Sequence, residues 1–441
     1  MQAKIAHIGC GAFHRAHQLM FTQKALEARP DEDWRYLELN ISSAKSADFI
    51  KQLKAQDCSY HLLELDNESK SLKEIKAIKS AMHPLLDKEE DIVRALSFAD
   101  LITLTITEKG YEKGLAGELI AKASLLRMKE NKPFTVLSCD NSNHNGALAK
   151  ASLLRAVKDA NLSAWIEENV SFPSSMVDRI VPAMNENSFA QIKSELGRDD
   201  PCAVISESFA QWVIEDDFKA QRPFWEAGGA LFVKDVAPYE VMKLRMLNGA
   251  HSFLAYVGFL SGFLHIDDCM RDESLKNAAL SLILNEQKPT LSGVSVDLSS
   301  YAQSLITRFK NPNLHHKTSQ IASDGSLKLP YRFCESIKYH LENQSSFKLL
   351  SLGVAAWARY VAGISEGGEK YEIADPKREL FAQKLLKHGL GMDYLSSLLE
   401  IEDIFKDLSK SEVFVNAVRA KFQDILDLGT KASLEKTLKQ A

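Results

Sequence analysis

At 441 residues, with 45% hydrophobic and 26% charged residues and a formal net charge of -5, the chain has the composition of an ordinary soluble globular protein. Its length points to two domains, and its balance excludes disorder, coiled coil and membrane insertion. It has no polycationic surface for nucleic acid or anionic lipid, so a small molecule is the expected partner, with no obligatory protein partner.

A strand opens the chain at Lys4 to Gly9. No basic, apolar and small-residue zones of a secretory signal precede it, which predicts a cytoplasmic protein. Helical spacing follows in AHQLMFTQKALEAR, then a short β-rich run at Trp34 to Ser42, together one βαβ unit. YHLLELD and LKEIKAIKS, divided by Asp66 and Asn67, read as a hairpin, and DKEEDIVRALSF as an amphipathic helix. Ala99 to Thr107 is a continuous apolar strand of the kind parallel sheets bury on both faces. A helix over Leu115 to Glu130, a strand at Phe134 to Ser138 and a helix from near Asn145 complete a doubly wound pattern.

From about Glu240 helical periods follow one another, with Pro or Gly at the joints. The expected fold is thus a Rossmann-like α/β domain with a mainly parallel sheet over 1–237 and a mainly α-helical domain over 238–441. The most apolar run, Ser252 to Ile266, is too short to span a bilayer and reads as a core helix. Cys10, Cys58, Cys139, Cys202, Cys269 and Cys334 show no zinc or disulfide spacing, which predicts reduced, mostly buried thiols and no metal site.

Four stretches could carry chemistry. In Gly9-Cys10-Gly11-Ala12-Phe13-His14, the first glycine permits a tight turn and the second a close approach to pyrophosphate. The third glycine of the usual fingerprint is His14 here, so an ordinary βα turn stays open. Arg15 could pair with phosphate oxygens, while His14 and His17 read as structural or polar-contact residues. Glu38 is the one acid placed to take ribose hydroxyls, although it lies inside the strand, and the tip beyond offers Asn40, Ser42, Ser43 and Lys45. SCDNSNHNG, after a buried strand, is either a site or an Asx-rich turn in which Asn143 or Asn145 caps the next helix.

In YEVMKLRMLNGAHSF, with Lys243 at zero on an α-helix, Glu240, His251 and Asn248 fall at about 60°, 80° and 140°. Four polar groups then share an arc with Leu244 and Leu247. Lys243 is either a desolvated lysine usable as an acid/base near neutral pH or a snorkelling partner of Glu240. TSQIASDGSLKLPYR gathers Gln320, Asp324, Lys328 and Arg332, as a polar-ligand anchor or a surface loop.

These motifs, with LTITEKGY, FPSSMVDRIVP, QWVIED, RPFWE and NPNLHH, occur in an order that resembles the long-chain polyol dehydrogenases and uronate reductases over most of the chain. The resemblance implies metal-independent oxidation of a secondary alcohol by NAD, with Lys243 as general acid/base, Asn141 and Asn248 as amide donors to the reacting oxygen, and His251 orienting a hydroxyl. Glu240 would serve a proton path. Cofactor contacts are implied at Ile8, Gly9, Gly11, Ala12, Phe13, His14, Arg15, Glu38, Thr107, Glu108 and Asp178, and substrate contacts at Gln320, Lys328 and Arg332. The family's mannitol enzymes have an arginine at the position of Gln320, and QIA-DGS-KLP-R is closer to the uronate branch. Interconversion of D-fructuronate and D-mannonate is therefore expected, with a polyol dehydrogenase as the alternative and a non-catalytic dinucleotide-binding regulator as the remote one. The acid of the family's NAD-dependent mannitol enzymes falls near Lys45, which leaves NADP open. The segment between Tyr111 and Phe134 is shorter than usual.

Overall fold

The computed structural model describes residues 3–314 and 316–440, so His315 of the NPNLHH motif lies outside the described residues. The chain forms two compact units, residues 1–239 and 240–441.

The strands of the first unit, in order, are β1 (Ile5–Ile8), β2 (Tyr36–Leu39), β3 (Tyr60–Leu65), β4 (Lys70–Ile75), β5 (Ile78–Met82), β6 (Leu101–Leu104), β7 (Phe134–Ser138), β8 (Val170–Ser171), β9 (Ser175–Asp178), β10 (Val204–Ser206), β11 (Gln211–Glu215) and β12 (Leu231–Val233). Six of them form one sheet in the order β5-β2-β1-β6-β7-β8, every pair parallel. The strand order reverses between β1 and β6, which is where doubly wound folds bind their ligands. Alternate residues feed two cores, as the period of two demands: Ile5, Tyr36, Leu101 and Leu137 on one face, Ala6, Leu37, Ile102 and Val136 on the other.

The hairpin is present as β3 and β4, but the run predicted to continue it divides at Lys76 and Ala77. Its second half becomes β5, which leaves the hairpin and pairs with β2 at the edge of the parallel sheet. Two three-stranded sheets, β10-β3-β4 and β12-β11-β9, were not expected. The helix predicted over Ala16 to Arg29 is observed as Gln18–Ala28, and a short helix that was not predicted, Ala12–Ala16, precedes it; the two are separated at His17, whose Nε2 donates to the Gln211 carbonyl 2.9 Å away.

After β7 the chain is held by Asn145. Its amide donates to the carbonyls of Asp140 (2.8 Å) and Ser175 (2.7 Å), and its oxygen accepts from the Ser175 N–H at 3.0 Å. Asn145 thus ties the loop after β7 to β9 and is no helix cap. The residue preceding the helix Asn145–Ala156 is His144, in the left-handed region at φ 52°.

The second unit is helical. The core helix predicted over Ser252 to Ile266 is observed as Ala250–Leu260, buried along nearly its whole length; it ends before Gly262, and Ile266 opens a separate helix, Ile266–Arg271. No helix among the described residues is long and apolar enough to cross a membrane. All six cysteines are free and buried. The expectation of a uniform α-helix over Tyr239 to Phe253 is corrected: α-helix Ala237–Met242 passes into a π turn at Lys243–Gly249 before Ala250–Leu260 resumes α geometry. Further π turns lie at Leu282–Gln287 and Pro330–Cys334.

Replacing Asn145 with Ala leaves three buried backbone groups without their partner and is expected to cost about 2 kcal/mol. Thermal unfolding of Asn145→Ala should show a clearly lowered Tm; an unchanged Tm would remove Asn145 as the staple of this loop.

Candidate active site

In the first unit the loop after β1 turns at Gly9, where φ is +110° and a Cβ would run into the carbonyl oxygen of Thr105. Gly11 is exposed, with only the Gly9 carbonyl near a notional Cβ, and Ala12 and Phe13 behind it are half-buried. Ile8 is the buried last residue of β1. This loop lies at the carboxyl end of β1, beside the strand-order reversal, with bare backbone to offer. It fits the pyrophosphate of a dinucleotide.

Beneath the loop lies a buried polar network. His7 Nε2 reaches the Gly9 carbonyl (3.1 Å) and Thr105 Oγ (2.9 Å), and a carbonyl can only accept, so Nε2 carries the proton and Nδ1 accepts from Thr103 Oγ at 2.7 Å. His14 stacks on His7 with ring centroids 3.4 Å apart. Burial pulls both imidazoles down to about 3 and pushes Glu38 up to about 7. A consistent neutral chain follows. The Glu38 carboxyl donates to His14 Nε2 (2.9 Å), His14 Nδ1 donates to Gln18 Oε1 (3.2 Å), and Gln18 Nε2 donates to His17 Nδ1 (3.1 Å).

Three expectations are corrected by this geometry. Glu38 and His14 are wholly buried, so neither presents an atom to a cofactor. Strand β2 is covered on both faces, and the side chain of Glu38 belongs to one of them. Arg15 is also turned inward, donating to the Cys10 carbonyl at 3.0 Å with its guanidinium over the Phe49 ring, 4.5 Å from the centroid. It is a core residue here and no phosphate partner. Beyond β2, Ser42, Ser43 and Lys45 are exposed. His7, His14 and Glu38 are close enough together to suggest metal ligands, yet both ring nitrogens of each histidine are already hydrogen-bonded.

LTITEKGY and SCDNSNHNG are joined by a residue that sequence reasoning passed over. Asp140 accepts from the backbone N–H groups of Ile106 (3.1 Å) and Thr107 (2.8 Å) and from the Tyr111 hydroxyl (2.7 Å), holding Thr107 at φ +62°. Thr107 and Glu108 are exposed beside it, and Glu108 accepts from Ser142 at 3.1 Å. Asn141 is exposed on the same loop, whereas Asp178 is buried at the end of β9. Arg179, the next residue, was also missed: it binds the carbonyls of Ala16 and Glu207 and, at 2.6 Å, Glu64.

In the second unit Lys243 and Glu240 are buried, with 9% and 8% exposure. A π turn closes its hydrogen bonds from i to i+5, so Asn248 sits over Lys243 more directly than α spacing implies. Gly249 makes room for the neighbouring π turn, since a Cβ there would stand 2.9 Å from Gln287 Nε2 and 3.2 Å from the Arg332 carbonyl. Arg332 Nη1 donates to Ser252 Oγ (2.7 Å) and the Asn248 carbonyl (3.3 Å). Burial lowers its pKa to about 10, so it remains cationic, and no carboxylate among the described residues pairs with it. His251 stacks on Phe309, and its Nε2 is buried without a hydrogen-bond partner among the described residues. Burial, with the charges of His316, Arg332, Arg308 and Lys328, holds it well below its ordinary pKa. Lys328 is spent partly on the Ser323 carbonyl (2.6 Å), and Gln320 is exposed.

A parallel sheet with a glycine loop at its switch point, followed by an all-helical unit bearing a buried lysine, defines a two-domain dehydrogenase. The chain matches the mannitol dehydrogenase Rossmann domain over residues 3–227 and the mannitol dehydrogenase C-terminal domain over 235–426. It belongs to the mannitol dehydrogenase family. It is 42% identical to the D-mannonate oxidoreductase of Escherichia coli (strain K12), covering 98% of this chain and 95% of that one. Among solved structures it superposes on D-sorbitol dehydrogenase in substrate-free form at a TM-score of 0.91, with 29% identity over 98% of this chain and 95% of that one. The Pseudomonas fluorescens mannitol 2-dehydrogenase ternary complex with NAD and D-mannitol matches at a TM-score of 0.81, with 33% identity over 100% of this chain and 95% of that one.

An acid whose folded pKa is raised from 4.5 to about 7 stabilises the fold fully below its unfolded pKa, and that contribution is lost as pH rises through about 7. Glu38→Gln keeps a donor for His14 and removes the titration. Its Tm should therefore fall less than the wild type's between about pH 5 and pH 8, the remaining slope including Glu286, which burial also raises to about 7. Parallel Tm profiles would refute the neutral chain.

Proposed function

We propose that the protein is an NAD-linked oxidoreductase interconverting D-fructuronate and D-mannonate. The observation that carries this reading is Arg332, a buried guanidinium with no acidic partner among the described residues, hydrogen-bonded to the π turn that bears Lys243. A buried cation without a counter-ion is costly, and the carboxylate of a sugar acid supplies one. The 42% identity to a D-mannonate oxidoreductase supports the same substrate class.

When bound, the reduced dinucleotide supplies a hydride to the ketone carbon. Lys243 gives a proton to the ketone oxygen, and Glu240 returns one to Lys243 from solvent. In the oxidative direction Lys243 takes the hydroxyl proton. The amides of Asn248 and Asn141 are assigned to the negative charge that develops on the oxygen, and His251 to a neighbouring hydroxyl. Gly9, Gly11, Ala12 and Phe13 are assigned to the pyrophosphate, with the exposed Thr107 and Glu108 as further cofactor contacts, whereas Ile8 and Asp178 are buried like Glu38 and His14 and are given no such role. Ser42, Ser43 and Lys45 take over the ribose end from the sequestered Glu38, so NADP stays a candidate beside NAD.

The substrate claim is tested with NADH and either D-fructuronate or D-fructose, which lacks the carboxylate. Wild type should prefer fructuronate, and Arg332→Leu should lower kcat/KM for it by about 100-fold while changing that for fructose little. A wild-type preference for fructose would overturn the uronate assignment. Lys243→Ala should reduce kcat by at least about 100-fold with NADH affinity intact, measured by fluorescence titration; retained turnover would overturn the lysine mechanism.

A further inference from the structure

The ring of His316 lies 5.4 Å from that of His251, centroid to centroid, with the planes inclined by 32°. His251 is fixed from its other neighbour by Phe309, at 5.1 Å and 24°. The backbone at His316 is anchored as well: its carbonyl accepts from the Ile266 N–H at 3.0 Å, and Lys317 bridges to His265. Its side chain is not tied to the protein in the same way, for neither ring nitrogen has a hydrogen-bond partner among the described residues, and the residue is half-buried.

Burial, and for His316 the charge of Arg308, pulls both imidazoles below their ordinary range. Each is then neutral near pH 7, with one nitrogen that donates and one that accepts. A sugar hydroxyl likewise donates and accepts. A pair of neutral imidazoles is therefore matched to adjacent hydroxyls, whereas the anionic end of a sugar acid is matched to a guanidinium. Arg332, Arg308 and Lys328 all act on His251 electrostatically, so the imidazole pair and the cations share one locality of the second unit. Asp324 and Asp375 act on Lys328, while no carboxylate among the described residues acts on Arg332.

We propose that His316 is a substrate-binding residue that, paired with His251, holds neighbouring hydroxyls of the sugar acid whose carboxylate Arg332 takes. This rests on the keto sugar acid reading above. It makes hydroxyl recognition the work of two histidines and charge recognition the work of the arginine, so the two can be removed separately.

The test uses His316→Ala and His316→Asn in the full-length enzyme at saturating NADH. His316→Ala should raise KM for fructuronate about five- to tenfold, the worth of one hydrogen bond, with kcat within about twofold. His316→Asn, which keeps a donor and an acceptor, should recover most of the loss. 5-Oxohexanoate has the ketone and carboxylate but no hydroxyls, so its inhibition constant should be the same for wild type and His316→Ala. NADH affinity and Tm should not move. An unchanged KM, or equal losses for fructuronate and 5-oxohexanoate, would overturn the proposal. If wild type instead prefers fructose, the sugar-acid reading fails by itself, and the histidine pair is judged by whether His316→Ala raises KM for fructose.

Discussion

A π turn inside a helix releases a carbonyl from the regular ladder, and the turn persists only if another donor satisfies that group. In the second unit Gln287 supplies it. Its amide donates to the Arg332 carbonyl at 2.9 Å and its oxygen accepts from Ser336 at 2.5 Å, so one side chain at the end of a π turn ties down a second such turn. Gly249, at the end of the third, is the residue that allows this approach. Lys243, Asn248 and Arg332 owe their common neighbourhood to that fit. A methyl added at Gly249 would press on the Gln287 amide and the Arg332 carbonyl and disturb the hydrogen bond between them.

The first unit solves a different problem in the same way, by satisfying buried polar atoms internally. The glycine loop could not sit over two histidines and a glutamate if any of them were charged and unpartnered. The chain from Glu38 through His14, Gln18 and His17 to the Gln211 carbonyl leaves each member neutral with its proton directed to an acceptor. His7 adds a direct hold on Gly9. The loop is thus preorganised from below, which leaves its upper surface as plain backbone suited to a phosphate.

Much of this was legible in the sequence where local pattern decides it. The apolar runs of β1, β6 and β7, the glycines after β1, the hairpin turn at Asp66 and Asn67, and the helical texture after Glu240 all correspond to observed elements. What local pattern could not carry was partnership over long distances. Nothing in LKEIKAIKS says that its second half leaves the hairpin for β2. The burial of Glu38 depends on which face of β2 it occupies and on His14, 24 residues away. The period of 100° assumed for Lys243 to His251 fails because a π turn occupies Lys243–Gly249, and its packing at Gly249 against Gln287 and Arg332 involves residues far away in the sequence. For the same reason Arg332 could be named from the sequence only as a substrate contact beside Gln320 and Lys328, and the lack of an acidic partner that singles it out was visible only in three dimensions.

The most direct test of the central claim follows the hydride itself. Incubation with D-fructuronate and NADH deuterated at the transferable position of nicotinamide C4, with the product examined by mass spectrometry and NMR, should give D-mannonate carrying one deuterium at the carbon that held the ketone. Oxidation of the cofactor without deuterium in a sugar acid, or no reaction with fructuronate while a neutral ketose is labelled, would contradict it.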